Sequence, residues 1–347
     1  MRIPPRASAQ PDRSLRAALA RHQQPSPLRS LAQLATSLLP FAGLCLAMYL
    51  ALDVSYWLTL ALAVPCAGFV VRIFIIQHDC GHGAFFRARW LNDMVGRGCG
   101  LLTLTPYRNW RRQHAGHHAN WNNLDRRESG ADIYSLCLTT EEYRALSPGQ
   151  RLFYRTLRHP LIASVLLPPL VFLVLYRVPF DTPADWRLER LSVHGTNLAI
   201  AAAVLGFGVW IGFAAVAKIY VPIMCFAAIA GVWLFTVQHR FEDGRWFRNT
   251  EWSANGASIH GTSYLRLPRV LQWFSGNIGF HHVHHLNSRI PNYRLAACHA
   301  SSVALQQAPM LSLWQAMTAP LYCLWDESKE KMVRFADVVL VNRPNQV

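Results

Sequence analysis

The chain has 347 residues, of which 52% are hydrophobic and only 15% are charged, whereas about 25% are charged in an average soluble protein. Lysine and arginine outnumber aspartate and glutamate by 34 to 19, so the formal net charge is +15. This composition excludes a disordered chain and argues against an ordinary soluble enzyme. Apolar stretches of about 20 residues separate the basic segments, which is the pattern of basic loops around membrane spans and not of a nucleic-acid-binding protein.

The first part of the chain predicts a tail, two membrane spans and a basic loop. Residues 1–30 contain six arginines and no apolar periodicity, so we expect a flexible basic tail. Two spans are predicted at about residues 32–52 and 57–77, and the short link between them contains no lysine or arginine. Residues 78–158 are dense in arginine, which assigns them to the cytoplasm by the positive-inside rule.

The second part of the chain predicts another pair of spans, at about residues 197–216 and 219–238, joined only by Ala217 and Lys218. Residues 161–176 are also apolar, but they are too few to cross a bilayer and two prolines interrupt them. We therefore expect a re-entrant or interfacial segment there. The resulting prediction is an all-α membrane protein with four transmembrane helices and with both termini in the cytoplasm.

Nine of the 15 histidines lie in three motifs, and eight of these nine have helical spacing within their motif, His282 being the exception. The motifs are HDCGH at residues 78–82, HAGHH at 114–118 and HHVHH at 281–285. A His-x-x-His-His pattern is expected by chance only about 0.03 times in a chain of this composition. Because residues at positions i, i+3 and i+4 share one face of a helix, each motif is predicted to present its histidines on one side.

A further histidine, His239, follows the fourth predicted span as His78 follows the second, and each comes directly after a glutamine. All three motifs and His239 are therefore predicted to lie at one cytoplasmic level. Eight or nine imidazoles are too many for a catalytic zinc site, which typically has three protein ligands. They fit two metal ions with five or six ligands each, and imidazole suits zinc, copper, iron and nickel. Such a site beside a bilayer points to O2 chemistry on an apolar substrate.

The motifs and their neighbours resemble the membrane fatty acid desaturases, over about residues 40–300. The stretches GNIGFHHVHHLNSRIPNY at 276–293 and VQHRFE at 237–242 are most similar to the bacterial acyl-lipid desaturases of the delta-12 or omega-6 type. In the acyl-CoA delta-9 branch an asparagine lies one helical turn before the histidine that corresponds to His239, and here that position is Phe235. The site geometry of that branch is therefore not transferred to this chain.

The resemblance implies two iron ions, with His239 as a ninth ligand that stands outside the three motifs. The implied ligands are His78, His82, His114, His117, His118, His239, His281, His284 and His285. No catalytic residue is expected beyond these ligands. The side chains expected to support the ligand rings are those of Asp79, Asp125, Glu242 and His282.

The implied reaction is the O2-dependent insertion of a cis double bond into a fatty acyl chain, with a membrane lipid or another acyl compound as substrate. The sequence contains no cytochrome b5, flavin or nicotinamide motif, so the electrons are expected from an external donor, an acidic ferredoxin or a similar protein. Arginines between residues 108 and 127 are expected to meet anionic lipid, to dock this donor, or both. Four tryptophans are expected as membrane anchors, namely Trp90, Trp110, Trp121 and Trp246.

The predicted domain organisation is a tail at residues 1–30, a membrane and catalytic domain at 31–300, and a cytoplasmic segment at 301–347. The catalytic part is expected to be a cytoplasmic helical cap that holds the two metals. The composition, rich in arginine and alanine, indicates the inner membrane of a bacterium. Alternatives within the same superfamily are a fatty-acyl or carotenoid hydroxylase or ketolase, and from other classes a zinc-dependent membrane hydrolase or a receptor-like protein. The regiochemistry, the head group and the oligomeric state stay open.

Overall fold

The computed structural model describes residues 13–127 and 137–339, and it is mostly helical. Its helices, in chain order, are α1 (Arg13–His22), α2 (Pro27–Ala51), α3 (Tyr56–Gly81), α4 (Arg89–Leu102), α5 (Tyr107–Asn120), α6 (Thr140–Ala145), α7 (Pro148–Arg158), α8 (Leu167–Leu173), α9 (Arg187–Ile211), α10 (Phe213–His239), α11 (Ala254–His260), α12 (Arg269–Phe274), α13 (His281–Leu286), α14 (Asn292–Ala300) and α15 (Leu313–Thr318).

Four of these helices, α2, α3, α9 and α10, are long and apolar enough to cross a membrane, which confirms the predicted fold class. α3 is the central helix of the bundle and packs against both α2 and α10. α9 packs against α10 at the edge of the bundle. Only 6% of its apolar stretch is buried, so nearly all of its side chains face outward. A helix surface with so many exposed apolar side chains is typical of contact with lipid and not with water.

The link between the third and fourth spans was predicted at Ala217 and Lys218 and lies instead at Gly212. Gly212 has φ of +92°, a conformation that glycine adopts without the steric penalty of a Cβ atom. Lys218 is an exposed residue near the beginning of α10, where its long side chain can reach the interface. The prediction was wrong because it placed the turn at the charged residue, Lys218, and not at the glycine, Gly212.

Part of the predicted flexible tail is a helix. α1 buries Leu15 and Leu19 in a cluster with Leu295 and Cys298 of α14, which lies directly after the third histidine motif. Residues 1–12 lie outside the described residues. The sequence prediction overlooked α1 because the two leucines, four residues apart, stand among arginines and alanines, and their partner surface is almost 280 residues away in the chain.

Both helical hairpins begin and end on the side of the bundle where α3 ends. At the start of α2, the backbone N–H of Ser26 donates a hydrogen bond to the Tyr293 hydroxyl at 2.9 Å. α9 begins beside α5, where Glu189 accepts hydrogen bonds from two arginines of α5. The segment between α3 and α9 therefore returns to the side from which it started. Within it, Pro148–Arg158 and Ile162–Arg177 are bent by 49°, as in a re-entrant segment or a broken span.

Two small sheets modify the all-α prediction. Their strands are β1 (Leu138–Thr139), β2 (Tyr264–Leu265), β3 (Met310–Leu311), β4 (Tyr322–Asp326) and β5 (Lys331–Arg334). β4 pairs in parallel with β1 and antiparallel with β5, while β2 pairs in parallel with β3. The strands have two to five residues each, too short for a recognisable alternating pattern in the sequence.

Candidate metal centre

Nine histidines converge where α3 and α10 end, because α5 and α13 pack across these two helix ends. Five of them can each offer a ring nitrogen such that all five atoms lie within 4.8 Å of one another, and we call this set the first histidine cluster: His78, His82, His114, His118 and His284. The same distance holds for three others, and the Nε2 atom of His281 lies 3.1 Å from that of His239. These four form the second histidine cluster: His117, His239, His281 and His285.

The two clusters divide the sequence motifs. In α5, His114 and His118 belong to the first cluster and His117 to the second. In α13, His284 belongs to the first cluster and His285 to the second. The clusters touch where the rings of His118 and His285 stack, with centroids 4.2 Å apart. Every motif member predicted as a ligand is therefore present, and two of the motifs serve both clusters.

The donor set fits two metal ions. The ring nitrogens face one another at 3.0–3.1 Å, as between His114 and His118 or between His239 and His285. Burial, and then repulsion between neighbouring rings, lowers the pKa of His114, His118 and His284 well below the ordinary value of 6.5. These three imidazoles are therefore unprotonated at neutral pH, the form in which histidine binds a metal.

Asp79, one of the residues expected to support the ligand rings, lies directly beside His78. One carboxylate oxygen lies 3.5 Å from His78 Nδ1, and the other accepts hydrogen bonds from the backbone N–H and the side-chain amide of Asn292, at 2.7 and 2.8 Å. The Asn292 Oδ1 atom in turn accepts a hydrogen bond from Gln33 Nε2 of α2 at 3.0 Å. Asp79 is 1% exposed, so this buried network fixes the first motif against α2 and α14.

His239, the isolated histidine, is oriented by its own helix. Its Nδ1–H donates a hydrogen bond to the backbone oxygen of Phe235 at 2.8 Å, which leaves Nε2 directed at the second cluster. A second contact comes from Trp121, whose ring centroid lies 4.3 Å from that of His239. The orientation of a ligand ring by a hydrogen bond to its other nitrogen is the usual arrangement around metal-bound histidine.

Two of the predicted supporting carboxylates lie elsewhere. Asp125 accepts hydrogen bonds from the Arg248 guanidinium and from the backbone N–H of Asn249, both at 2.8 Å. Glu242 accepts a hydrogen bond from the Tyr322 hydroxyl at 2.8 Å. In the described parts of the chain neither carboxylate touches a ligand ring, because each accepts hydrogen bonds from the donors just named.

His282 points away from both clusters, as its helical position predicted. It is fully buried, and its Nε2 atom lies 3.0 Å from Nδ1 of His299 in α14, so this histidine pair joins α13 to α14. Burial is the main cause that lowers the pKa of His282 to about 3. His299 belongs to no histidine motif, so the sequence alone does not connect it with the third motif.

Three of the four tryptophans predicted as membrane anchors belong to the site or its wall. The Trp110 ring stacks on His114 with centroids 4.7 Å apart, and Trp121 is only 3% exposed beside His239. Hydropathy does not distinguish a tryptophan at the membrane interface from one that packs on a buried imidazole. The three are Trp110, Trp121 and Trp246, whereas Trp90 is 66% exposed and keeps the anchor assignment.

An apolar cavity of about 160 Å³ lies between α3, α10 and the segment around α8. Its walls include Val71, Phe172 and Val232, and it opens on ligand candidates of both clusters, among them His78 and His117. A cavity of about 150 Å³ with apolar walls stays dry and admits a ring of six carbons. The cavity is therefore large enough for a short stretch of hydrocarbon beside the histidines.

The comparisons with known proteins agree with this architecture. The family model described as fatty acid desaturase matches residues 55–314. The chain is 43% identical, over 90% of its length and 87% of the relative's, to a protein of Bacillus subtilis named fatty acid desaturase. It is 30% identical to the sn-1 oleoyl-lipid 12-desaturase of Synechocystis, over 66% of this chain and 63% of that one. The ferredoxin-type sn-1 acyl-lipid omega-3 desaturase of the same organism is 31% identical over 64% and 61%.

The chain belongs to the fatty acid desaturase family, as the histidine motifs indicated. It is an enzyme of that family, with a helical fold and histidine clusters that can bind metal. Enzymes of this family act on lipids.

Proposed function

We propose that this desaturase inserts a cis double bond, in a delta-12-like position, into the acyl chain of a membrane lipid with O2 as co-substrate. Nine histidines hold two irons, and an external donor such as ferredoxin supplies the electrons. The observation that carries the proposal is the apolar cavity of about 160 Å³ that ends on both histidine clusters. The mostly apolar walls of this cavity suit the methylene groups of an acyl chain.

The overall reaction takes a –CH2–CH2– unit, O2, two electrons and two protons to a –CH=CH– unit and two water molecules. Bound iron supplies the activation of O2 that the removal of hydrogen from an unactivated methylene requires. The protein itself positions the acyl chain and excludes water from the reacting carbons. Phe172 and Val232 keep water from the reacting carbons, and the Phe235 carbonyl holds the His239 ring in one orientation.

An acyl chain attached to a lipid suits the position of this cavity. Two of its walls are α3 and α10, both helices that can cross a membrane, so a chain can enter from the bilayer. The 30% identity to an sn-1 oleoyl-lipid 12-desaturase supports the same substrate class and bond position.

The metal centre and both termini are proposed to face the cytoplasm of a bacterial inner membrane. Both hairpins begin and end on the side of the metal centre, and the chain on that side is rich in arginine, as the positive-inside rule requires. Of the described residues that connect the spans, the other side has the short link after α2 and the glycine between α9 and α10. Residues 31–300 form the membrane and catalytic domain of this proposal, with α1 and residues 301–339 packed on its cytoplasmic side.

Expression in a bacterium without polyunsaturated lipids tests this function, with gas chromatography and mass spectrometry of the acyl chains as the measurement. We expect a new double bond with the wild-type chain and none with His284→Ala, and the fragmentation gives its position. A hydroxy acid would assign the chain to the hydroxylases or ketolases of the same superfamily. No change despite two bound irons and a compatible donor would refute an action on common acyl chains.

A further inference from the structure

A second opening reaches the first histidine cluster at His82 and shares no lining residue with the apolar cavity. It is a cleft of about 710 Å³ between the end of α3, α4, α5 and the residues that precede α2. Six arginines and two carboxylates line it, which leaves four positive charges. No leucine, isoleucine, valine, methionine or phenylalanine belongs to this lining within the described residues. The arginines are Arg87, Arg89, Arg108, Arg111, Arg112 and Arg289.

The arginines form two groups. Three are ion-paired: Arg108 and Arg112 reach Glu189 at 3.3 and 3.1 Å, and Arg111 reaches Asp93 at 2.5 Å. The other three, Arg87, Arg89 and Arg289, are exposed and have no carboxylate partner in the part of the chain that the structure describes. The cleft therefore presents three cations that are free to pair with an anionic partner.

His82 connects the cleft to the metal centre. It is the only one of the nine candidate ligands that lines the cleft, and it does not line the apolar cavity. Its ring centroid lies 4.7–5.0 Å from those of the other four members of the first histidine cluster. A partner that binds in the cleft therefore meets the first cluster at His82, one of the members of that cluster.

We propose that the arginine-lined cleft docks an acidic electron-donor protein and that electrons enter the metal centre through His82. The inference rests on the proposed function, which requires an external donor. In each turnover two reduced donor molecules are each oxidised by one electron, and these two electrons, with two protons, complete the reduction of O2 to water. The polar lining favours a soluble partner over lipid, because an acyl chain finds no apolar wall there. Complementary charge mainly accelerates the association of such partners.

The test compares two triple variants in the iron-loaded protein. The cleft variant is Arg87→Glu/Arg89→Glu/Arg289→Glu. The control variant, Arg97→Glu/Arg266→Glu/Arg269→Glu, changes the net charge equally at exposed arginines outside the cleft. The probe is an acidic [2Fe–2S] ferredoxin, and the readout is its association rate constant with the protein in nanodiscs, at low and high salt. Iron content reports whether each variant is intact.

We expect the cleft variant to associate roughly 10- to 100-fold more slowly at low salt, with the difference lost at high salt, and the control variant to stay within about twofold of the wild type. Equal rates for the two variants, or no binding of ferredoxin to the wild type, would overturn the proposal. So would a cleft variant that keeps ferredoxin binding and instead loses binding to anionic lipid vesicles. Single-turnover desaturation with dithionite as reductant separates the two proposals, since it tests the proposed function without any donor protein.

Discussion

The acyl-chain cavity can be tested at Gly231, a residue of α10 that lines it. A Cβ atom built on Gly231 meets no other atom within 4 Å, and its helical backbone accepts any L side chain. Gly231→Leu therefore places four carbon atoms in open space beside the cavity without moving the backbone. Those carbons occupy the volume of about four methylene groups of the substrate.

The magnitude follows from packing, because the acyl chain comes from the bilayer and not from water. Extra methylenes forced into a filled apolar site cost about 1–3 kcal/mol. At about 1.4 kcal/mol for each factor of ten, kcat/KM for a common acyl-lipid substrate falls roughly 5- to 150-fold in Gly231→Leu. Gly231→Ala adds one carbon and is the matched control, with a smaller loss than Gly231→Leu.

The assay is the initial rate of double-bond formation in nanodiscs, at substrate levels below KM, with wild type and both variants. Iron content and thermal stability of each variant report whether the protein is intact. If Gly231→Leu retains its irons and reacts at the wild-type rate, the acyl chain does not occupy this cavity, and the reasoning from its walls fails.

Three further predictions concern the metal centre and its support. Asp79→Asn removes the buried charge beside His78, so we expect roughly 10- to 100-fold weaker iron affinity in chelator competition; unchanged affinity would mean that the carboxylate only holds Asn292. The metal-free protein should lose stability as the pH falls below about 6.5. The cause is that the histidines bind protons in the unfolded chain but not in the folded one, where burial lowers their pKa values. A melting temperature that is the same at about pH 7.5 and pH 5.5 would contradict this. Leu19→Ala should cost about 2 kcal/mol or more and expose α1 to limited proteolysis, whereas a protected α1 would show that its packing on α14 is incidental.

The sequence predicted the spans and the ligand candidates because both are local patterns. A crossing needs about 20 consecutive apolar residues, and a helix that binds a metal through several histidines repeats them every three or four positions. The predicted ends of the helices were less accurate, because they depend on single backbone conformations such as the positive φ of Gly212.

What the sequence did not reveal depends on contacts between distant segments. The division of the α5 motif between two clusters follows from how α3 and α10 flank that helix, which spacing alone does not fix. Asn292 and His299 of α14 and Trp121 at the end of α5 contact members of the histidine motifs or the residues that hold them, and the histidine spacing identifies none of the three. Asp125 and Glu242 are close to histidines in the chain but pair with surface groups in the fold.

The central claim is that nine histidines hold two irons, and metal analysis of the purified protein combined with Mössbauer spectroscopy tests it most directly. We expect two irons per chain with nitrogen-rich coordination, and a loss of bound iron in both His82→Ala and His117→Ala, since each removes a ligand from a different cluster. One zinc per chain, or full iron content in either variant, would contradict the account.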